Sequence, residues 1–211
     1  MRKKREFLRQ RFFQQINRVR MENLRSRISP HFAFNVLGRE INQFNGSEEV
    51  KHNLMELVKY LRRSLELTEK LSVSLQDELD FVRTYIELER GRVGEDFVAT
   101  ITVEDGLDAT RIMIPSMIVQ IPVENAIKHG LAGKDGKKEL MVYVSRETNG
   151  IRITVTDNGR GYLPQVVSAT RGTGTGLKVL YQTIQLLNTK NKSDKIRFNI
   201  TNRSDGQTGT E

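Results

Sequence analysis

Apolar residues in the first 92 positions recur at helical spacing. Phe12, Ile16 and Val19 form one phase, and Leu24, Ile28 and Phe32 form a second. Pro30 interrupts the pattern, and Asn45-Gly46-Ser47 is a turn signal in which Ser47 is a candidate helix N-cap. The next helix carries Leu54, Leu57, Val58, Leu61 and Leu65 on one face. A break is expected near residues 71–74, where Ser74 and Asp77 have the spacing of a capping arrangement. Leu79, Val82 and Ile86 then continue a helix to about Arg90. Residues 1–92 therefore read as a helical hairpin. A lone hairpin buries little, so a second copy is expected to complete a homodimeric four-helix bundle.

Gly91 to Gly94 mark a change of period, and the chain is divided there into parts 1–92 and 93–211. Residues 97–103 alternate like a strand. Residues 115–130 look helical, with Pro115 near the first turn and Gly130 at the C-terminal end. Residues 140–145 and 151–156 alternate again, and Asn149-Gly150 supplies a hairpin turn between them. Residues 158–175 read as a Gly-rich loop, 177–187 as an amphipathic helix and 196–201 as a final strand. The fold class is α+β. The second part is a two-layer α/β sandwich with helices on one face of a mainly antiparallel sheet. No internal repeat is visible.

Composition narrows the function classes. The chain has 211 residues, 37% hydrophobic and 28% charged, as in folded globular domains rather than disordered ones. No run of 18 apolar residues exists and no apolar signal region follows Met1. The absence of cysteine fits a reducing compartment. The net charge of +8 suits an anionic partner. Arg2, Lys3, Lys4 and Arg5, followed by Arg9, Arg11, Arg18 and Arg20, read either as a solvated helix face or as a segment lying near anionic lipid. Phe7, Phe12 and Phe13 lie among these cations at spacings that fit a helix core, so nucleic acid is not the expected partner. The expected context is a cytoplasmic fragment of an inner-membrane protein, with a membrane sensor segment upstream.

Three segments of the second part carry candidate chemistry. Glu124-Asn125-Ala126-Ile127-Lys128-His129-Gly130 gathers a carboxylate, an amide, a cation and an imidazole late on a helix. Asn125 offers an oxygen to Mg²⁺, and Lys128 can meet a phosphate as a point charge. Taken alone, Glu124 and Lys128 are an ordinary i, i+4 surface pair. Asp157-Asn158-Gly159-Arg160-Gly161 ends a strand; it is a turn, or a buried acceptor for an exocyclic amine with glycines that admit a flat ligand. Gly172-Thr173-Gly174-Thr175-Gly176-Leu177 opens a helix, where free N–H groups and the helix dipole suit phosphates. It is not a P-loop, since no Gly-Lys-Ser/Thr ends it, and no strand immediately precedes it as in a Rossmann turn. His52 reads as a surface residue and His129 as pocket-lining.

The order of the three segments resembles the GHKL (Bergerat) ATP-binding fold of gyrase-type ATPases, Hsp90-type chaperones, MutL-type proteins and histidine kinases. The resemblance covers residues 97–203. It implies ATP and Mg²⁺ as cofactors, with Asn125 as the Mg²⁺ ligand and Asp157 as the reader of adenine. Gly159 and Gly161 complete that box. Gly172, Gly174 and Gly176 match the phosphate-side lid, which the short gap from Asp157 to Gly172 makes small.

Ser29-Pro30-His31-Phe32-Ala33-Phe34-Asn35 resembles the Asn-Pro-His-Phe-Leu-Phe-Asn box of LytS/YehU-type sensor kinases. Residues 76–90 and Gln120-Ile121-Pro122-Val123-Glu124-Asn125 match the same family. The resemblance implies that His31 is the phosphoacceptor and that the phosphoryl group passes to an Asp on a response regulator receiver domain. A neutral imidazole can attack phosphorus at cellular pH. From the residues alone, Ser29-Pro30 equally starts a helix on which His31 is structural. The chain departs from the family box at Ser29 and Ala33. Phe32 follows His31 where other histidine kinases carry an acid, so Glu124 is a candidate base by its chemistry alone. Asn35 is a candidate for orienting a water in phosphate removal, by analogy. Family members continue into one more apolar strand after a Gly-Thr such as Gly209-Thr210, and a shortened C-terminus is expected. A nucleotide-binding switch without kinase activity is the alternative reading.

Overall fold

The computed structural model describes residues 48–161, 175–190, 195–203 and 208–210. The expected turn at Asn45-Gly46-Ser47, and His31, Asn35, Gly172, Thr173 and Gly174, lie outside the described residues.

Helix α1 spans Glu48–Glu69. Its buried stripe runs through Leu57, Tyr60, Ser64 and Leu67, while Leu54 and Leu61 are only half-buried. The stripe shares Leu57 with the face marked by leucines and adds Tyr60, which meets a second helix that brings aromatic rings. Tyr60 stacks on Phe81 at 4.9 Å between ring centroids and lies 5.9 Å from Tyr85. The chain then makes a short strand β1, Ser72–Ser74.

Helix α2, Leu75–Val93, begins where the capping signal placed it. Ser74 Oγ accepts the Asp77 N–H at 3.0 Å and its hydroxyl donates to Asp77 Oδ2 at 2.8 Å. The helix ends at Gly94, whose φ of 111° is open to glycine and whose N–H returns to the Arg90 carbonyl.

Strand β2 is Phe97–Val103, as its alternation predicted. Pro115 does not open a helix: it ends strand β3, Met113–Pro115, which pairs antiparallel with β1. The helix α3 begins only at Gln120 and runs to Asn125, and the chain continues through a π-helical turn, Ala126–Gly130. Strands β4, Lys138–Glu147, and β5, Gly150–Asp157, form the expected hairpin. Glu147 pairs with Gly150, so the two-residue turn is Thr148-Asn149 rather than Asn149-Gly150. Helix α4 is Thr175–Lys190.

The main sheet has the order β2-β4-β5. It is mixed rather than mainly antiparallel, because β2 and β4 run parallel. A parallel pair needs a crossover, and the segment carrying β3 and α3 supplies it. Leu140, Val142 and Val144 point into the core while Met141 and Tyr143 face outward, so helices cover one face. No strand forms over 196–201. Ile196 is held instead by Asn188 of α4, whose side chain both donates to the Ile196 carbonyl and accepts its N–H, each at 2.8 Å. Further on, Asn202 and Thr210 form an isolated antiparallel bridge.

Buried residues of α2 (Leu79, Val82, Tyr85, Ile86) share one core with Ile121, Val123 and Ile127 and with the inward side chains of the sheet. Helix α2 thus shares a core with the elements that follow it.

Candidate functional site

The site is built where three elements end. The first is the turn that follows α3. A π-turn inserts one extra residue into the helical path and is commonest where a site needs a side chain re-aimed. Here the Leu131 N–H reaches back to the Ala126 carbonyl at 2.8 Å. The Glu124 carboxylate is 8% exposed and has three donors. Lys128 Nζ lies 3.4 Å from Oε2, Gln120 Nε2 donates to Oε1 at 3.2 Å, and the Tyr60 hydroxyl donates to Oε1 at 3.5 Å. Lys128 also stands 5.9 Å over the Tyr85 ring. The predicted i, i+4 pair of Glu124 and Lys128 thus forms, but as part of a buried network that reaches α1. Burial pushes the Tyr85 hydroxyl well above the ordinary range, and the Glu124 and Glu89 carboxylates push it the same way.

Asn125 keeps its amide nitrogen buried with no partner in the protein. Rotation of the amide would put its oxygen at the same point, so this end of the side chain lacks a protein partner in either orientation. His129 is exposed at the surface of the turn. Partial desolvation of its ring, then Lys128 and Arg160, hold its pKa below the ordinary 6.5, which keeps the ring neutral at pH 7.

The second element is the end of β5. Asp157 is 3% exposed. Its Oδ1 accepts the Gly159 N–H at 2.7 Å. Burial raises its pKa above 3.8, while the bonds from Gly159 and Thr210 and the charge of Arg203 pull the other way. Gly159 has no room for a side chain because the Gly130 backbone lies against it, and the Arg160 N–H donates to the Gly130 carbonyl at 3.3 Å. Gly161 takes φ +81° beside Asn202. The predicted glycines at 159 and 161 are thus used for close approach and for a left-handed turn. Two segments about 30 residues apart in sequence meet through Gly130.

The third element is the start of α4. Thr175 begins this helix, Gly176 and Leu177 follow in its first turn, and the helix packs against α3. The described residues do not include Gly172, Thr173 or Gly174.

One residue of the site went unread in the sequence. Thr210 accepts the Asp157 N–H through its carbonyl at 2.9 Å, and its side chain bonds the Asp157 carboxylate. The only signal was the Gly209-Thr210 pair itself, near the chain's end.

Among the described residues no three His, Cys, Asp or Glu side chains gather as a metal cluster. Mg²⁺ dehydrates reluctantly and takes one or two protein ligands beside phosphate oxygens and water. The free end of Asn125 fits such a site; Glu124, engaged by three donors, does not.

Residues 19–97 match the family described as histidine kinase. Residues 111–211 match the family described as histidine kinase-, DNA gyrase B-, and HSP90-like ATPase. The sensor histidine kinase YpdA of Escherichia coli (strain K12) is 29% identical over 177 residues, 81% of this chain and 31% of that protein. The sensor histidine kinase/phosphatase LytS of Staphylococcus aureus (strain MRSA252) is 32% identical over 190 residues, 86% of this chain and 32% of that protein. The chain thus spans about a third of the length of these relatives. Among solved structures, the histidine kinase domain of the Erythrobacter litoralis EL346 blue-light activated histidine kinase has a similar fold. Its TM-score is 0.50 at 15% identity, with 94% of this chain and 90% of that chain covered. The two matched segments cover every helix described above, with strands β4 and β5 of the mixed sheet, and the chain belongs to the histidine kinase family.

Proposed function

We propose that this chain is the kinase part of a two-component sensor histidine kinase. It binds ATP with Mg²⁺ and transfers the γ-phosphoryl group to His31, from which the group passes to an Asp of a response regulator receiver domain. The observation that supports this most is the junction at Gly130. In this reading the turn at Gly130 joins Asn125, whose buried amide without a protein partner would meet a metal-bound phosphate, to Asp157, which would accept the adenine amine.

In this reading Asp157, supported by Gly159 and Thr210, holds the base. Gly172, Thr173, Gly174, Thr175, Gly176 and Leu177 cover the phosphates, with the N-terminus of α4 favouring their charge. Asn125 would hold Mg²⁺, which would supply charge neutralisation at the phosphate oxygens. Lys128 moves from Glu124 to a phosphate. We assign Glu124 the anchoring of Lys128; service as a base would require it to leave its three donors. A lone pair of the His31 imidazole forms the P–N bond as the bond from the γ-phosphorus to the bridging oxygen breaks, and ADP leaves. Positioning and charge neutralisation supply most of the rate. We assign Asn35, four residues on, the orienting of a water that removes the phosphoryl group.

The functional unit in this proposal is a homodimer whose N-terminal helices pair into a four-helix bundle, on the cytoplasmic side of the inner membrane and downstream of a membrane sensor segment. No helix among the described residues is long and apolar enough to cross a membrane. Because α2 packs with the sheet, we place the start of the ATP-binding unit near Ser72 rather than at residue 93.

Incubation with γ-labelled ATP and Mg²⁺ tests the reading. The expected product is acid-labile, alkali-stable label that is absent in His31→Ala. Label retained in that variant would move the acceptor elsewhere. Nucleotide binding without label would favour a nucleotide switch.

A further inference from the structure

The first backbone N–H groups of a helix have no partner inside it. No side chain of its own segment caps α3. The cap comes from α2. Glu78, fully buried, accepts the Met117 N–H on Oε2 at 2.9 Å, and the Val119 and Gln120 N–H groups on Oε1 at 3.1 and 3.2 Å. These partners are 39 to 42 residues away in sequence. The capped segment is an unusual one, since Met117 has φ 69°, a region that residues with side chains rarely adopt.

A buried carboxylate is costly unless hydrogen bonds offset its lost hydration. A Ser or Asp at residue 119 would cap the helix locally. A distant Glu does something a local cap cannot: it ties two elements together. The same segment is tied to the end of α1 as well. Ser116 Oγ donates to the Leu67 carbonyl, and the Ser116 N–H donates to the Leu71 carbonyl at 3.3 Å. Strand β3, just before, pairs with β1. The end of α1, β1, the start of α2 and the start of α3 therefore meet at residues 116–120.

We propose that Glu78 is a positioning residue for the nucleotide site, at the joint where α1 meets the ATPase-like part. By holding the start of α3, it sets where Asn125 and Gly130 arrive relative to Asp157. A displacement of α1 that pulls on Ser116 reaches the nucleotide through this joint. The inference rests on the proposal that nucleotide binds at that site.

The test is titration of the purified chain with a fluorescent ATP analogue and Mg²⁺, beside thermal melting. Glu78→Gln keeps the shape but turns one acceptor into an N–H₂ that faces an N–H. With a bond to a charged acceptor lost, Kd is expected to rise about tenfold at temperatures well below melting. Val144→Ala, a core truncation at a fully buried position on β4, is the control for destabilisation alone. It is expected to lower the melting temperature and keep the unmodified Kd. A lower melting temperature in Glu78→Gln with unchanged Kd, or an equal loss of affinity in Val144→Ala, would overturn the inference. If Glu78→Gln does not fold, Ser116→Ala carries the test: a raised Kd supports the joint and an unchanged Kd overturns it. Failure of the unmodified chain to bind the analogue overturns the proposed function and this inference with it.

Discussion

Gly130 stands against Asp157 so closely that a Cβ on it would lie 2.7 Å from Oδ1 and 2.9 Å from Oδ2. The requirement is space, since Gly130 has no positive φ. The carboxylate cannot simply swing away, because Gly159 and Thr210 hold it. Gly130→Ala is therefore expected to leave the fold intact, cost about 1–3 kcal/mol of stability by overpacking, and weaken adenine nucleotide binding at least tenfold. Calorimetric titration checks this; unchanged affinity would mean that the Asp157 position is not read by the ligand.

Asp157 carries a cost of its own. Its folded-state pKa lies above 3.8, chiefly through burial. Between the unfolded and folded values the native state binds the proton more tightly, so stability falls as pH rises through that window, and the full cost is present at pH 7. Asp157→Asn keeps an oxygen for the Gly159 N–H and removes the charge. It is expected to melt at or above the unmodified chain at pH 7. That advantage shrinks as pH falls toward 3.8. Nucleotide binding should fall at least tenfold, because the amide turns an N–H₂ toward the adenine amine. Melting well below the unmodified chain at pH 7 would refute the assignment of the cost to burial.

Ser74 and Asp77 act in the opposite sense. The Ser74 hydroxyl holds the Asp77 carboxyl below 3.8 against the opposing effect of burial, and the nearby Arg63 adds to the lowering. A lowered pKa contributes stability above 3.8 that is lost as pH falls through the folded value. Ser74→Ala removes the cap of α2 and is expected to cost about 1 kcal/mol at pH 7, or roughly 2–4 °C in Tm. The difference should narrow below pH 3.8. A difference that stays constant down to pH 2 would separate the cap from the carboxylate.

Much of the site was legible because its signals are local. Asp157, Gly159 and Gly161 are neighbours in sequence, and so are Glu124, Asn125 and Lys128. Leucine spacing on α1 identifies an apolar stripe, to which the buried Leu57 belongs, but not its partner. Tyr60 is buried against α2, where it stacks on Phe81. Pro115 was placed in a helix because a proline in a first turn and a proline at the end of a short edge strand leave the same mark.

The sequence by itself determined the α+β class, the cap at Ser74, the strands β2, β4 and β5, the glycines of the Asp157 turn and the family resemblance. Each depends on residues within a few positions of one another, where periodicity, capping and turn chemistry operate. Only the tertiary structure decided that β2 runs parallel to β4, that α2 shares the core of the sheet, that Thr210 closes over Asp157 and that Glu78 caps α3. Those contacts join residues about 40 to 50 positions apart. They form where burying apolar faces together leaves polar groups that must find partners, and no local pattern names the partner.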